Sequence, residues 1–76
     1  MPSLTLYHTE GCHLCEMAHD LIGDVVDLSV LQLQDIVDDA ELMERYQVSI
    51  PVLLRQDNGK ELYWPFDKQQ VEEFLA

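Results

Sequence analysis

Cys12 and Cys15 are the only two cysteines in the chain, and they stand two residues apart where a turn-like Thr9, Glu10, Gly11 gives way to an amphipathic segment. No other feature constrains the chain as strongly. Whatever sulfur chemistry the protein performs is confined to this one turn, and the remaining residues position it or surround it. A dithiol this closely spaced, in a chain without an export signal, points to redox or metal chemistry more readily than to a structural disulfide.

The flanking residues place the pair between a strand and a helix. Leu4 to Tyr7 alternates apolar and polar positions and reads as a first strand. Leu14, Met17, Ala18, Leu21 and Ile22 recur at helical spacing and predict one apolar face, with Gly23 as a C-terminal cap and Glu16, His19 and Asp20 on the opposite face. Asp24 to Asp27 reads as loop or frayed helix. Leu31 and Leu33 alternate with Gln32 and Gln34, so a second strand is expected within Leu28 to Gln34. Asp38 with Glu41 has capping-box spacing ahead of Leu42, Met43 and Tyr46, which predicts a short second helix ending before Ser49. Pro51 disfavours helix at Ile50, and Val52 to Arg55 reads as a third strand. Asn58-Gly59 signals a type I′ hairpin returning along Lys60 to Tyr63, with Pro65 closing that strand. Asp67 and Gln70 form a second capping-box pattern, and Phe66 and Val71 occupy the staple positions of a last helix that buries Val71, Phe74 and Leu75.

The predicted order is thus β-α-β-α-β-β-α. The right-handed crossover rule makes the first two strands parallel neighbours, and the hairpin adds two antiparallel strands, so helices must cover both faces of a mixed sheet. At 76 residues one domain is expected, spanning the whole chain. There is no basic leader and no run of 18 apolar residues, so neither export nor membrane spanning is indicated and a cytoplasmic location is expected. The net charge of −11, with only Arg45, Arg55, Lys60 and Lys68 against fifteen acidic groups, argues against a nucleic-acid partner. It also disfavours small anionic thiols unless local cations offset it, although the plain reading of such acidity is a solvated surface.

A cysteine at a helix N-terminus faces unpaired backbone N–H groups and the positive end of the macrodipole, which stabilise its thiolate by up to about 2 kcal/mol. Cys12, nearer the helix start, is assigned the attack on a disulfide, and Cys15, inside the first turn, resolves. Glu10 opposes ionisation of Cys12, whereas a protonated His13 favours it. His8, Cys12, Cys15 and His19 are also four plausible zinc ligands, although no second cysteine pair follows and His8 would have to reach across the loop. Trp64 and Phe66 are read either as packing or as an apolar rim suited to a peptide or protein partner.

The CxxC after the first strand, Ile50 and Pro51 before the third, and the element order together resemble a small glutaredoxin of the thioredoxin superfamily over almost the whole chain. More narrowly, Gly11 to Glu16 and Tyr46 to Leu53 are similar to a small bacterial glutaredoxin-like family. The resemblance implies an α/β thioredoxin-like fold with a four-stranded sheet in the order 2-1-3-4. It implies that Pro51 is a cis-proline facing the active site, that the backbone of Ile50 pairs with a bound disulfide substrate, and that glutathione is a co-substrate. Two departures bear on the last point. Glu10 stands where glutaredoxins usually carry a basic residue, and Tyr63 to Asp67 lacks the glycine pair that holds the γ-glutamyl end of glutathione. Asp67 at the helix start and Arg45 near the cleft are the remaining candidates for that site.

The expected activity is that of a monomeric, glutaredoxin-like disulfide reductase, with no bound cofactor or metal, acting on protein or low-molecular-weight disulfides and reset by a reductase system or thiol. Two alternatives from other classes remain: a metal or iron–sulfur carrier using the CxxC, and a non-enzymatic interaction domain on a thioredoxin scaffold.

Overall fold

The computed structural model describes residues 3–76. Its elements are β1 (Leu4–His8), α1 (His13–Gly23), β2 (Leu31–Asp35), α2 (Ala40–Tyr46), β3 (Val52–Arg55), β4 (Glu61–Tyr63) and α3 (Lys68–Leu75), with short 3-10 turns at Leu28–Val30 and Ile36–Asp38. The sheet runs β2-β1-β3-β4. β1 pairs parallel with β2 in the register Leu4 to Leu31 and antiparallel with β3 in the register Leu4 to Arg55. β4 continues the antiparallel side, with Val52 opposite Tyr63.

Alternation along the inner strands divides the core in two. Leu4, Leu6 and Leu53 point to one face, where they join Ala18, Ile22, Val26, Phe66 and Val71 from α1, α3 and their flanks. Tyr7 and Val52 point to the other, where Ile36 and Tyr46 bury against them beside Leu42, Met43 and Ile50. Val52 and Leu53 are adjacent and both fully buried, which requires helices on both faces. Tyr7 and Tyr46 stack with centroids 4.6 Å apart. The Tyr46 hydroxyl donates to Glu61 Oε2, and burial together with that carboxylate pushes its pKa far up.

Several local details differ from the sequence expectation. Second-strand pairing begins only at Leu31, since Leu28–Val30 forms a 3-10 turn capped by Asp27. The apolar stripe of α1 is rotated: Cys15, Ala18 and Ile22 are buried, whereas Leu14 and Met17 are 46% and 45% exposed. The buried cysteine itself occupies the inward position of the first turn, so the side chains flanking it turn out. Gly23 does not cap α1. It lies in the last helical turn, and Asp24 follows in right-handed conformation with its N–H bonded to Leu21 and Ile22.

The cap of α2 is Asp39, whose carboxylate accepts from Glu41 N at 2.9 Å and Leu42 N at 3.3 Å. Asp38 is instead absorbed into the 3-10 turn that Asp35 caps and that buries Ile36. The β3–β4 turn is not type I′, which would need positive φ at both central residues. Only Gly59 has it (φ 72°), and no non-glycine residue among those described does. A wider loop forms: Arg55 O accepts from Gly59 N at 2.8 Å, Arg55 N donates to Lys60 O at 2.9 Å, and Asn58 Oδ1 accepts from Lys60 N at 2.9 Å. The Arg55 guanidinium pairs with both Asp57 oxygens, holding that carboxyl below its usual range, and also donates to Phe74 O at the end of α3. The Asp67–Gln70 capping box of α3 is present as expected, with Phe66 and Val71 buried beside it.

Candidate functional site

The central strand β1 delivers the chain to the cysteines. Thr9, Glu10 and Gly11 link His8 to Cys12, and Gly11 takes a positive φ of 76° that a side chain would strain. Cys12 is then extended (φ −87°, ψ 101°) and serves as N-cap of α1, its sulfur accepting from Cys15 N at 3.1 Å. The two cysteines form a disulfide with Cα atoms 5.2 Å apart. They are unequal in access: Cys12 is half-buried, whereas Cys15 is 4% exposed.

A cleft of about 440 Å³ opens beside the disulfide, between the start of α1 and the β1–β2 side of the sheet. Its walls include Leu6, His8, Glu10, Cys12, Cys15, Glu16, His19 and Leu33. Glu16 and His19 were expected on the solvent face of α1. They reach the cleft because Cys15 points inward and they follow it at one and four residues. Leu33, 53% exposed, enters from the outer strand β2. The visible signal for all three was their spacing from Cys15 and from the end of β1, once the helix stripe is rotated onto Cys15.

The other predicted residues are not among those lining this cleft. His13 is exposed, with Nδ1 3.8 Å from Glu16 Oε2, and does not line the cleft. The Ile50–Pro51 bond is cis, as is Trp64–Pro65, and Trp64 N donates to Pro51 O at 3.3 Å, so the two segments meet where β3 begins and β4 ends. Trp64 packs at the edge of the larger core with Phe66 edge-on at 5.1 Å, while Phe66 is 5% exposed and belongs to the core. Asp67 caps α3, accepting from Gln70 N at 2.8 Å. Arg45 lies over the Tyr46 ring and 3.6 Å from Glu61, not against the cleft. His8, Cys12, Cys15 and His19 all line the cleft, with the two cysteines joined in the disulfide; among the described residues, no three His, Cys, Asp or Glu side chains are grouped to hold a metal ion. No helix of the described residues is long and apolar enough to cross a membrane.

Sheet order, crossover and a CxxC at the start of the first helix define a thioredoxin-like fold. Within that class the chain belongs to the glutaredoxin-like domain family (DUF836), whose pattern matches residues 3–76. Among solved structures it is similar to protein XcR50 from X. campestris, at 36% identity over 96% of this chain and 95% of that one, with a TM-score of 0.86 in the X-ray structure. It is also similar to protein Ne2328 from Nitrosomonas europaea, at 27% identity over 100% of this chain and 94% of that one, with a TM-score of 0.80. No curated protein matches the chain.

Proposed function

We propose that the protein is a dithiol–disulfide oxidoreductase in which Cys12 attacks and Cys15 resolves. The unequal access of the two sulfurs carries this reading, since the half-buried Cys12 is the more open to a substrate and Cys15, 4% exposed, is better placed to meet Cys12 than a large partner. The Cys15 N–H that reaches the Cys12 sulfur favours the thiolate, as does the helix N-terminus behind it.

In the forward reaction the Cys12 thiolate attacks one sulfur of a substrate disulfide, forming a mixed disulfide and expelling the other sulfur as a thiolate that takes a proton. Cys15, deprotonated, attacks the Cys12 sulfur, closes the Cys12–Cys15 bond and expels the second substrate thiolate. Two electrons and two protons pass from dithiol to substrate, and an external dithiol, or two equivalents of a monothiol, returns them. The backbone of Ile50 ahead of Pro51 supports strand-like pairing with the substrate, and Trp64 beside Pro51 supports an apolar rim there. Glutathione enters as a small thiol reductant and not as a held ligand, because Arg45 is engaged by Glu61 and Asp67 by its own helix. We place the activity in the cytoplasm, where thiol pools keep such pairs reduced.

Cys15→Ser tests the reading. The pre-reduced variant should accumulate a mixed disulfide at Cys12, seen by intact mass, while Cys12→Ser accumulates none. A pre-reduced native protein that leaves 2-hydroxyethyl disulfide intact would refute it.

A further inference from the structure

The cleft beside the disulfide carries a charge pattern that disulfide exchange itself does not require. Glu10 and Glu16 both line it, one in the loop before Cys12 and one directly after Cys15. Among the described residues Glu16 has only His13 within ion-pairing range and Glu10 has no cation. Three of the four fixed cations are held elsewhere: Arg45 by Glu61, Arg55 by Asp57 at 2.7 Å, and Lys68 by Asp24 at 3.1 Å. The fourth, Lys60, follows Gly59 in the β3–β4 turn. Leu6 and Leu33 give the cleft an apolar wall, and His8, Thr9 and His19 line it as well. A partly apolar trough lined by two carboxylates matches a lysine or arginine side chain, whose methylene stem covers apolar surface while its head stays at the polar edge.

We propose that this cleft selects disulfides whose cysteine is flanked by a cationic side chain, the stem lying along Leu33 and the charge meeting Glu10 and Glu16 while Cys12 attacks. The proposal rests on the oxidoreductase reading and names its substrate class. A cation held about 7 Å from one carboxylate in water gains a rate factor of roughly three, so two carboxylates give roughly seven. An anion loses the same factor, which separates cationic from anionic disulfides by roughly 50-fold at low salt.

The test uses pre-reduced native protein in single-turnover stopped flow with three small disulfides of similar length: cystamine, 2-hydroxyethyl disulfide and 3,3′-dithiodipropionate. Each rate is divided by that of a free small dithiol with the same disulfide, which removes intrinsic reactivity. The normalised order should be cationic, neutral, anionic, spanning roughly 50-fold at low salt and collapsing in ~1 M salt, where the screening length is about 3 Å. Glu10→Gln with Glu16→Gln should remove most of the span. Glu72→Gln with Glu73→Gln on α3, an equal change in net charge, should preserve it. Equal normalised rates would overturn the charge selection while leaving the oxidoreductase reading intact. Loss of the span in the α3 variant would overturn the cleft as its source. Reaction with none of the three would overturn both readings.

Discussion

If the Cys15 N–H both caps α1 and holds the Cys12 thiolate, stability and reactivity must respond together to changes at residue 12. The comparison is best made without the disulfide, in a Cys15→Ala background. There the backbone N–H of residue 15 remains, and only its acceptor at 3.1 Å is varied. Cys12→Ser supplies a hydroxyl oxygen, a preferred N-cap acceptor; Cys12→Ala supplies none, and losing a cap costs about 1 kcal/mol. For a chain of this size that is about 4–8 °C in melting temperature. A neutral thiol, a weak acceptor, should fall between the two at pH 6. The thiolate changes that order. If the N–H and the helix terminus favour that thiolate, its contribution is fully present above the unfolded thiol value of about 8.5 and is lost as pH falls below it. Between pH 6 and pH 9 the Cys12-bearing protein should therefore gain on the Cys12→Ser variant by about 1 kcal/mol, half the ceiling for a helix terminus because Cys12 is half-exposed. Thermal melts across that range, followed by far-ultraviolet circular dichroism, read both effects. A Cys12→Ala variant as stable as Cys12→Ser, or a gap that does not change with pH, would refute the link between cap and thiolate.

Other positions give sharper single readings. Tyr46→Phe keeps the stack on Tyr7 but removes the bond to Glu61, which retains Arg45 at 3.6 Å and Tyr63 at 3.4 Å; a loss of about 1.5 kcal/mol in urea unfolding is expected. Because the folded Tyr46 pKa is raised, that difference should be complete at pH 7 and shrink as pH rises above about 10, the unfolded tyrosine value. Gly59→Ala should destabilise by about 1 kcal/mol through its positive φ alone, since an added Cβ meets nothing within 4 Å. Gly23→Ala, at the last residue of α1 where the added Cβ meets only the Leu28 side chain at 3.4 Å, should stabilise by up to about 0.5 kcal/mol, and the two melting shifts should have opposite signs. Asp27, bonded by Ser29 N, and Asp57, bonded by Arg55, have lowered pKa values; their contribution is present above about pH 3.9 and should be lost below it in an acid titration, less steeply in Asp57→Asn.

The fold was legible where one residue type has one physical use. Two cysteines at the start of an amphipathic run, a proline that forbids helix, and Asp67 with Gln70 ahead of Val71 each admit a single local solution, and together they fix the order of elements. Ambiguity entered where neighbours compete for one role. Asp35, Asp38 and Asp39 all suit a cap, and only the burial of Ile36 between them decides that the 3-10 turn takes Asp38 and the helix takes Asp39. Asn58-Gly59 carries the type I′ signal, but the Arg55–Asp57 pair and the Asn58 side chain stabilise a wider loop that local sequence does not weigh. The cleft was harder to see, because Glu16 and His19 look solvent-facing until Cys15 is counted as a core residue. Arg45 looked available until the fold brought Glu61 to it from fifteen or more positions along the chain. Such pairings belong to tertiary structure, and propensity is silent about them.

The link from β1 to the cysteines also settles which participant has to move. β1 is hydrogen-bonded to β2 on one side and β3 on the other, and only Thr9, Glu10 and Gly11 separate its last residue from Cys12. Three residues reach about 10 Å at full stretch, and these carry a turn, so the tether has almost no slack. The sulfur is moored by that short tether to a strand hydrogen-bonded on both sides, which limits how far it can swing toward a distant target. If the protein exchanges disulfides as proposed, the slack in an encounter must come from the other side, from disulfides on mobile loops, chain ends or small molecules, and rigidly framed disulfides should be poor targets however exposed they are.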